Sequence, residues 1–299
     1  MAVTRKSLAA IVFTVLVWAS AFPGIRAGLE GYSPGELALL RYIFASLTLA
    51  CCTFVWPLPL PRTKDLPGFV ALGGLGIAIY HVALNYGEQT VTAGAASFLI
   101  ATSPIFATLL AYWFLNERLT GWGWVGIAIS MAGIGLIAFG EAAGVRIDPG
   151  AFLVLTASLS GAGYVTLQKL YLDRYSPFAL TAYAVWTGTL LMMFFLPGVA
   201  QQLPEASWEA TLSVAYIGIF PGALAYVTYA YVLSQMPVAV TTSFLYLIPV
   251  TAIPISWMWL GEVPTVVSVG GGLIALMGVI VVQKVGKVKE VESQLSPEA

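Results

Sequence analysis

The chain alternates between long apolar runs and short breaks that are polar or rich in proline and glycine. Each run is near 20 residues, the length that an α-helix needs to cross roughly 30 Å of hydrocarbon. A membrane β-barrel would instead show short segments of alternating polarity. The fold class is therefore an all-α polytopic membrane protein. The runs predict about ten transmembrane helices, at 8–27, 34–56, 67–86, 91–114, 121–140, 150–171, 177–197, 208–233, 238–260 and 265–284.

Composition supports this assignment. Hydrophobic residues make up 59% of the chain and charged residues only 9%, whereas a soluble domain carries about 25% charged residues. Mean hydropathy is +0.88. The first run continues apolar for too long to be a signal peptide, so we expect a retained helix. Adjacent Cys51 and Cys52 lie inside an apolar run and indicate neither a disulfide framework nor a metal site.

The basic residues predict the orientation. If the N-terminus is cytoplasmic, the inner side receives nearly all of them, and the outer side keeps only Arg146 and, at a helix end, Arg26. This imbalance follows the positive-inside rule and places both termini in the cytoplasm. The inner set is Arg5, Lys6, Arg62, Lys64, Arg118, Lys169, Arg174, Lys284, Lys287 and Lys289.

Much of the sequence of the first half of the chain is repeated in the second half. The run 97–117 matches 242–262 at one constant offset, and the register continues into the next glycine-rich run. Tyr-Ser-Pro at 32–34 likewise matches 175–177. The repeat predicts a five-helix unit at 1–145, a second at 146–285 and a disordered cytoplasmic tail at 286–299. Because five is odd, the two units should cross the membrane in opposite senses, as inverted repeats around a central cavity.

These halves resemble a known family. Each has a proline-bearing fourth helix that ends in Leu-Asn-Glu or Leu-Gly-Glu, followed by a glycine-rich fifth helix, and 18–29 reads WASAFPGIRAGL. This set resembles the drug/metabolite transporter superfamily in its ten-helix EamA-type branch, and most of all the bacterial aromatic amino-acid exporters. The resemblance implies a basket of helices around a cavity, alternating access, no ATP hydrolysis, and a place in the bacterial cytoplasmic (inner) membrane. It implies a small-molecule substrate and the lipid bilayer as partners, no nucleic acid, no cofactor or metal, and a monomer or homodimer.

Ionisable residues inside the membrane are functional candidates, because they are costly in hydrocarbon. His81 either hydrogen-bonds the substrate or carries a proton, or it bonds to a neighbouring helix; we predict that its neutral ring contacts the substrate. Arg41 either holds a substrate carboxylate or reaches outward toward Glu36, and the structural role is preferred. The Lys169 side chain either extends to the membrane–water interface or gates the inner mouth of the central cavity. Every carboxylate falls at a helix end or in a loop, so coupling through a mid-membrane carboxylate is not expected.

Prolines and aromatic residues complete the candidate site. Pro104 and Pro249 occupy matching positions, where they are either paired hinges or packing kinks. Asn85 lies one turn after His81 and extends its polar stripe. Deep aromatic residues suit an amphipathic or ring-bearing solute. The predicted substrate-binding residues are Trp18, Tyr80, His81, Asn85, Tyr164, Trp186, Tyr226 and Tyr246, and the predicted gating or hinge residues are Pro104, Pro249 and Lys169.

The function predicted from these observations is a secondary transporter that exports small amphipathic metabolites, in particular aromatic or other apolar amino acids. A membrane-embedded enzyme is the main alternative, but the chain has one histidine and no clustered catalytic groups, and no catalytic residue is assigned. A channel is disfavoured by the inverted repeat. The sequence contains no GxxxxGK[ST] stretch for an ATP-driven pump. Two questions stay open. The substrate could be another metabolite or a drug, and transport could be either facilitated or coupled to protons.

Overall fold

A computed structural model describes residues 4–91, 96, 99–141, 149–260 and 266–285. Within those ranges all regular structure is helical. The α-helices in the first half are α1 (Arg5–Ala19), α2 (Ala21–Leu29), α3 (Pro34–Cys52), α4 (Leu66–Gly73), α5 (Tyr80–Gly87), α6 (Ser103–Leu115) and α7 (Gly121–Glu141). Those in the second half are α8 (Pro149–Tyr171), α9 (Pro177–Leu191), α10 (Leu196–Gln202), α11 (Trp208–Ile217), α12 (Ala225–Gln235), α13 (Val238–Ser243), α14 (Leu247–Leu260) and α15 (Val266–Val285).

Short irregular helices join several of these elements. Tight 3₁₀ turns form at Thr63–Asp65, Met193–Phe195 and Phe244–Tyr246. Two wider π-helical segments continue α4 into α5 and α11 into α12. They span Gly74–Ile79 and Gly218–Leu224 and lie at equivalent points of the two halves. Several of the predicted membrane helices are therefore continuous in path but irregular in the middle.

Length and hydropathy allow several described helices to cross a membrane. Five qualify alone or as continuous combinations, and a sixth is the pair formed by α9 and 193–202, which bends by 46°. Large apolar side chains cover the outside, including Leu8, Phe54, Leu191 and Phe194. A soluble protein rarely exposes so much contiguous apolar surface. The five spans are Arg5–Leu29, Pro34–Cys52, Thr63–Gly87, Pro149–Tyr171 and Trp208–Gln235, and shorter apolar helices are Ser103–Leu115, Gly121–Leu136, Val238–Ala252 and Val269–Val282.

The repeated Tyr-Ser-Pro sequence starts a helix in each half. Ser33 and Ser176 are the N-cap residues of α3 and α9, both with extended backbones, and a proline follows each at the first helical position. Proline is favoured there because the amide hydrogen it lacks would be unpaired in any case. The Ser176 hydroxyl also accepts a hydrogen bond from the Ala179 amide at 3.2 Å. The matched motif therefore has a local physical cause.

Asn116 explains the Leu-Asn-Glu ending of α6. Its φ of 54° places it in the left-handed region, the only described non-glycine residue with positive φ. Asparagine and glycine tolerate this conformation best, so either can end a helix in this way. The corresponding Gly261 and Glu262 lie outside the described residues, as do Arg146, Lys287, Lys289 and the predicted tail at 286–299.

Helices α7 and α15 pack with their backbones almost in contact. A Cβ added at Gly126 would lie 2.9 Å from the Gly278 carbonyl oxygen, and one at Gly133 would lie 2.5 Å from that of Gly271. Between these contacts the Ser130 hydroxyl donates to the Ala275 carbonyl at 3.2 Å. As residue numbers rise along α7, their partners fall along α15, so the two helices run antiparallel. Small residues of the two glycine-rich runs therefore form this interface.

Each half inserts a helix against the π-helical segment of the other. An added Cβ at Gly218 would lie 2.4 Å from the Arg41 carbonyl oxygen of α3. Reciprocally, one at Gly188 of α9 would lie 2.4 Å from Cβ of Ile77. The helices α3 and α9 begin with the repeated Ser-Pro motif, so equivalent elements make equivalent contacts. Each irregular segment is therefore held by a helix of the other half.

Several predicted helix boundaries need correction. The helix predicted at 34–56 ends at Cys52, and the one predicted at 8–27 is broken at Ser20. The helix predicted at 177–197 bends after Leu191, and the one predicted at 238–260 contains a 3₁₀ turn at 244–246. Hydropathy records how long a segment is apolar, and it contains no information about a break between equally apolar turns.

Candidate functional site

A cavity lies between the two halves of the chain, at the level of the π-helical segments. Its empty space is about 900 Å³, including the opening to solvent. Small-molecule sites are lined mainly by apolar and aromatic groups with a few placed polar ones. Both halves contribute to the walls, from α1, α2, α3, α5 and the first π-helical segment on one side and α8, α12 and α14 on the other.

Aromatic rings form one wall of the cavity. The Trp18 ring centroid lies 5.5 Å from that of Tyr226 and 5.0 Å from that of Tyr229. Tyr164 stands 5.8 Å from Tyr226 in a tilted arrangement. Aromatic pairs at such distances hold one another in place by edge-to-face and offset contacts. The wall is therefore a packed, apolar surface onto which a flat or apolar group can fit.

Polar groups gather around His81, whose ring centroid lies 6.3 Å from that of Tyr226 in this wall. Its Nδ1 lies 3.2 Å from Nη1 of Arg41, and its Nε2 lies 3.0 Å from Oη of Tyr226 and also contacts Oη of Tyr42. A guanidinium can only donate, so Nδ1 must accept and the neutral ring carries its proton on Nε2. The Tyr226 hydroxyl in turn donates to the Gly76 carbonyl at 3.1 Å. The corner is a directed chain of hydrogen bonds from Arg41 to the first π-helical segment.

Side chains also satisfy backbone carbonyls that the π-helical segments leave free. The Ser160 hydroxyl donates to the Leu75 carbonyl at 2.7 Å, and Tyr226 serves Gly76. In the second segment the Trp18 indole donates to the Pro221 carbonyl at 3.1 Å. Short π-helical turns recur at functional sites. Here they turn backbone oxygens toward the cavity walls and fix the rings that line it.

Comparison with known proteins identifies the family. The sequence profile of the EamA-like transporter family matches residues 5–139 and again 148–283. The chain belongs to the EamA-like transporter family. It is a multi-pass membrane transporter, and its similar relatives are named as transporters rather than enzymes.

Two relatives and one solved structure are similar to this chain. An uncharacterized transporter of Bacillus subtilis, YdfC, is 42% identical over 263 residues, which cover 88% of this chain and 86% of that one. A probable terminal-alkyne amino-acid exporter of Streptantibioticus cattleyicolor is 38% identical over 279 residues, covering 93% and 94%. A solved crystal structure superposes with a TM-score of 0.77 at 16% identity, covering 94% of this chain and 97% of that one. The last comparison shows the fold alone.

The structure separates the predicted site residues into two groups. Five of the predicted substrate-binding residues line the cavity together with Pro249, namely Trp18, Tyr80, His81, Tyr164 and Tyr226. Three others are outside the lining. Asn85 is fully buried and donates to the Pro34 carbonyl at 3.0 Å. Trp186 donates to the Ser46 carbonyl at 3.2 Å, and Tyr246 is buried in apolar packing beneath the wall. These three hold helices together.

The matched prolines lie at helix starts, which differs from the predicted position in the middle of a helix. Pro104 lies in the first turn of α6 and Pro249 in the first turn of α14. Pro104 follows a turn at 101–102, and Pro249 follows the 3₁₀ turn at 244–246. Proline is tolerated in a first turn without loss of a hydrogen bond. Each proline therefore marks a break between two helical pieces, and a hinge at these breaks stays a prediction.

Lys169 and Glu117 brace a third break, between α12 and α13. The Lys169 ammonium donates to the carbonyls of Leu233 at 2.7 Å and Met236 at 2.9 Å. From the other side, Oε2 of Glu117 accepts from the Val238 amide at 2.8 Å. A cation at a helix C-terminus and an anion at a helix N-terminus are both favourable. From the end of α8, the Lys169 side chain therefore binds backbone carbonyls at the end of α12 and does not simply reach for water. Its gating role stays a prediction.

Glu88 is a buried acid immediately after the span that ends at Gly87. This residue is 7% exposed, and neither of its carboxyl oxygens has a hydrogen-bond partner among the residues that the structure describes. Burial raises the pKa of Glu88 to about 8, although the nearby Arg26 and Arg41 guanidinium groups act in the opposite direction. The sequence correctly places this acid at a helix end. It does not reveal that the acid is enclosed by protein and mostly protonated at neutral pH.

We expect Glu88→Gln to stabilise the protein increasingly as the pH rises. The pKa of Glu88 rises from 4.5 to about 8 on folding, so the wild type loses stability between these two pH values as the buried group ionises. The variant lacks this loss. Thermal unfolding in detergent should show little difference at pH 5 and a gain of at least about 3 °C at pH 8.5. The exposed Glu205→Gln serves as the control, and a constant difference across pH would contradict the assignment.

Sequence reasoning missed three parts of the site. Arg41 lines the cavity and contacts His81, whereas the preferred expectation was an outward reach toward Glu36. That expectation is wrong, because the Glu36 carboxyl lies against Gly198 instead. Tyr42, which contacts the buried side of His81, was not singled out. The π-helical segments were also missed, although the glycines at 73, 74 and 76 and the Pro221-Gly222 pair mark both.

Proposed function

We propose that this chain is a secondary transporter that exports small amphipathic metabolites, in particular amino acids with aromatic or apolar side chains, by alternating access. The observation that carries this proposal is the cavity between the halves, with an aromatic wall next to a polar corner at Arg41 and His81. Such a site offers an apolar surface to one end of a solute and hydrogen-bonding groups to the other. The similarity to a probable terminal-alkyne amino-acid exporter supports the same substrate class.

We further propose ten membrane crossings in two inverted five-helix repeats, with both termini in the cytoplasm. Support comes from the antiparallel packing of the matched helices α7 and α15 and from the reciprocal contacts of α3 and α9 with the π-helical segments. The two consecutive matches of the family profile agree with a duplicated unit. A cavity at the contact between such repeats can open to either side as the halves move against each other.

Counterflow in proteoliposomes tests the function. Vesicles loaded with unlabelled phenylalanine should accumulate labelled phenylalanine transiently, and apolar amino acids in a panel should compete more strongly than serine or aspartate. Trp18→Ala should lower the initial rate roughly tenfold, the upper range of one aromatic contact. Trp122→Ala is the matched control, because Trp122 is 65% exposed on the outer surface of α7. Failure of every amino acid to drive counterflow would refute the proposed substrate class.

Cysteine labelling tests the inverted topology. In a variant with Cys51 and Cys52 replaced, single cysteines at Arg118 and at Glu262 should show opposite accessibility to an impermeant thiol reagent in intact cells. We expect modification at position 262 only, since Arg118 is predicted to be cytoplasmic. A cysteine at Arg62 should behave like the one at Arg118 and controls for reagent leakage. Labelling of 118 and 262 from the same side would rule out two odd-numbered inverted repeats.

A further inference from the structure

Arg41 is a buried cation at the edge of an open cavity. It lies about two turns into α3 and is only 2% exposed, yet it contributes to the cavity lining. Its Nη1 meets Nδ1 of His81, while its Nε has no hydrogen-bond partner. The Tyr42 ring lies 5.6 Å from the guanidinium carbon and offers a weak cation–π contact. The five donors of this group are therefore only partly used.

Within the described ranges no carboxylate pairs with Arg41. The one ion pair found there joins Arg174 to Asp65 at 3.1 Å. Glu36 lies against Gly198, and Glu88, which is near enough to act on Arg41 electrostatically, lies beyond ion-pair distance and has no hydrogen-bond partner. Because burial raises the pKa of Glu88 to about 8, this carboxyl is mostly neutral at pH 7. A buried charge without a partner is costly, so an anion supplied from the cavity would be strongly favoured.

The cavity lining adds a second constraint. Among the described residues that form it, Arg41 is the single charged side chain, and neither aspartate nor glutamate takes part. The hydroxyl-bearing members are Ser103 and tyrosines. A planar guanidinium binds a carboxylate with two parallel hydrogen bonds. Nothing in the lining offers an equivalent ionic partner to an ammonium group, which Arg41 would instead repel.

We propose that Arg41 anchors the carboxylate of the transported solute, and that the cavity selects amphipathic carboxylates without requiring an α-ammonium group. The proposal deepens the proposed transport function and rests on the same cavity. The carboxylate lies at the Arg41–His81 corner, and the apolar tail extends toward the rings of Trp18 and Tyr229. Aromatic acids that lack an amine, such as 3-phenylpropionate, therefore bind at least as tightly as phenylalanine.

Three ligands of matched size separate the contributions of the two charges. Phenylalanine carries both groups, 3-phenylpropionate only the carboxylate, and phenylalaninamide only the ammonium. Affinity for purified protein in detergent at pH 7 is measured by ligand-induced changes in tryptophan fluorescence and by thermal stabilisation. We expect the two carboxylates to bind at least tenfold more tightly than phenylalaninamide. Equal or tighter binding of phenylalaninamide to the wild type would overturn the proposal without any variant.

Charge-changing variants assign the preference to Arg41. Arg41→Gln should weaken carboxylate binding at least tenfold and leave phenylalaninamide unchanged or improved, while Arg41→Lys, which keeps the charge but not the planar fork, should fall between. The control is Arg26→Gln, which removes an exposed cation that also acts on Glu88 but lies outside the lining. A folded Arg41→Gln protein that keeps the carboxylate preference would overturn the proposal. Binding of 3-phenylpropionate is measured without transport, so loss of amino-acid counterflow alone would count only against the proposed function.

Discussion

Replacing His81 by alanine should reduce transport at least tenfold, whereas His81→Gln should retain part of it. The histidine accepts from Arg41 through Nδ1 and contacts two tyrosine hydroxyls through Nε2. Alanine removes all three contacts and leaves the guanidinium without its acceptor, and an unsatisfied buried polar group costs roughly 1–3 kcal/mol. Glutamine keeps one donor and one acceptor in a side chain of similar reach. Initial rates of counterflow in proteoliposomes, normalised to inserted protein, measure both effects.

Asn85→Ala controls for general damage to the same helix. Asn85 is fully buried one turn beyond His81, but its amide binds the Pro34 carbonyl and it does not line the cavity. We expect this variant to lower thermal stability and to keep a much larger share of transport than His81→Ala. If both His81 variants are inserted and transport at the wild-type rate, the histidine only packs helices together and the substrate site lies elsewhere.

Gly133→Leu should prevent correct folding. A Cβ at this position would lie 2.4 Å from the Ala275 amide nitrogen and 2.5 Å from the Gly271 carbonyl oxygen. Both obstacles are backbone atoms, so α7 and α15 would have to separate along their length. Overpacking in a tight interface usually costs 1–3 kcal/mol, and we expect at least about 3 kcal/mol here because no side chain can move aside. Size-exclusion profiles and unfolding temperatures in detergent report the loss.

Gly270→Leu is the matched control for this substitution. It adds the same side chain to the partner helix α15, at a glycine where an added Cβ meets nothing within 4 Å. Folding and unfolding temperature should remain close to those of the wild type. Similar damage from both substitutions would mean that helix propensity or expression, rather than the close approach of the two backbones, decides the result.

The sequence predicted features with local physical causes. Apolar runs of the right length indicate membrane helices, and the matched Ser-Pro pairs begin helices because proline fits the first turn, with a capping serine hydroxyl at Ser176. The tolerance of Asn116 for a left-handed backbone accounts for one helix end. Repetition of these signals predicted the duplicated halves. None of these inferences requires knowledge of which helices are neighbours.

The direction in which a side chain points does require that knowledge. Tyr164 and Tyr246 are both aromatic residues within apolar runs, but Tyr164 lines the cavity and Tyr246 is buried in the packing below it. The same ambiguity affected Arg41. The sequence suggested Glu36 on the same helix as its neighbour, whereas the structure places its guanidinium against His81 of α5. Packing between helices decides these cases, and a single sequence offers no periodic signal for it, because nearly every face of these helices is apolar.

The first π-helical segment links the length of the chain to the contacts beside the cavity. A regular α-helix turns by about 100° per residue, and a π-helical turn accommodates one extra residue. Deleting one residue between Gly74 and Ile79 would leave the hydropathy of the span almost unchanged and allow a regular helix to form. Because the wide turn takes up this residue locally, His81 would keep nearly its present direction relative to α3. The Gly76 carbonyl would instead be drawn into the regular helix and lost as the acceptor for the Tyr226 hydroxyl. In related chains, a one-residue deletion in this segment therefore changes the support of the cavity wall and preserves the direction of His81.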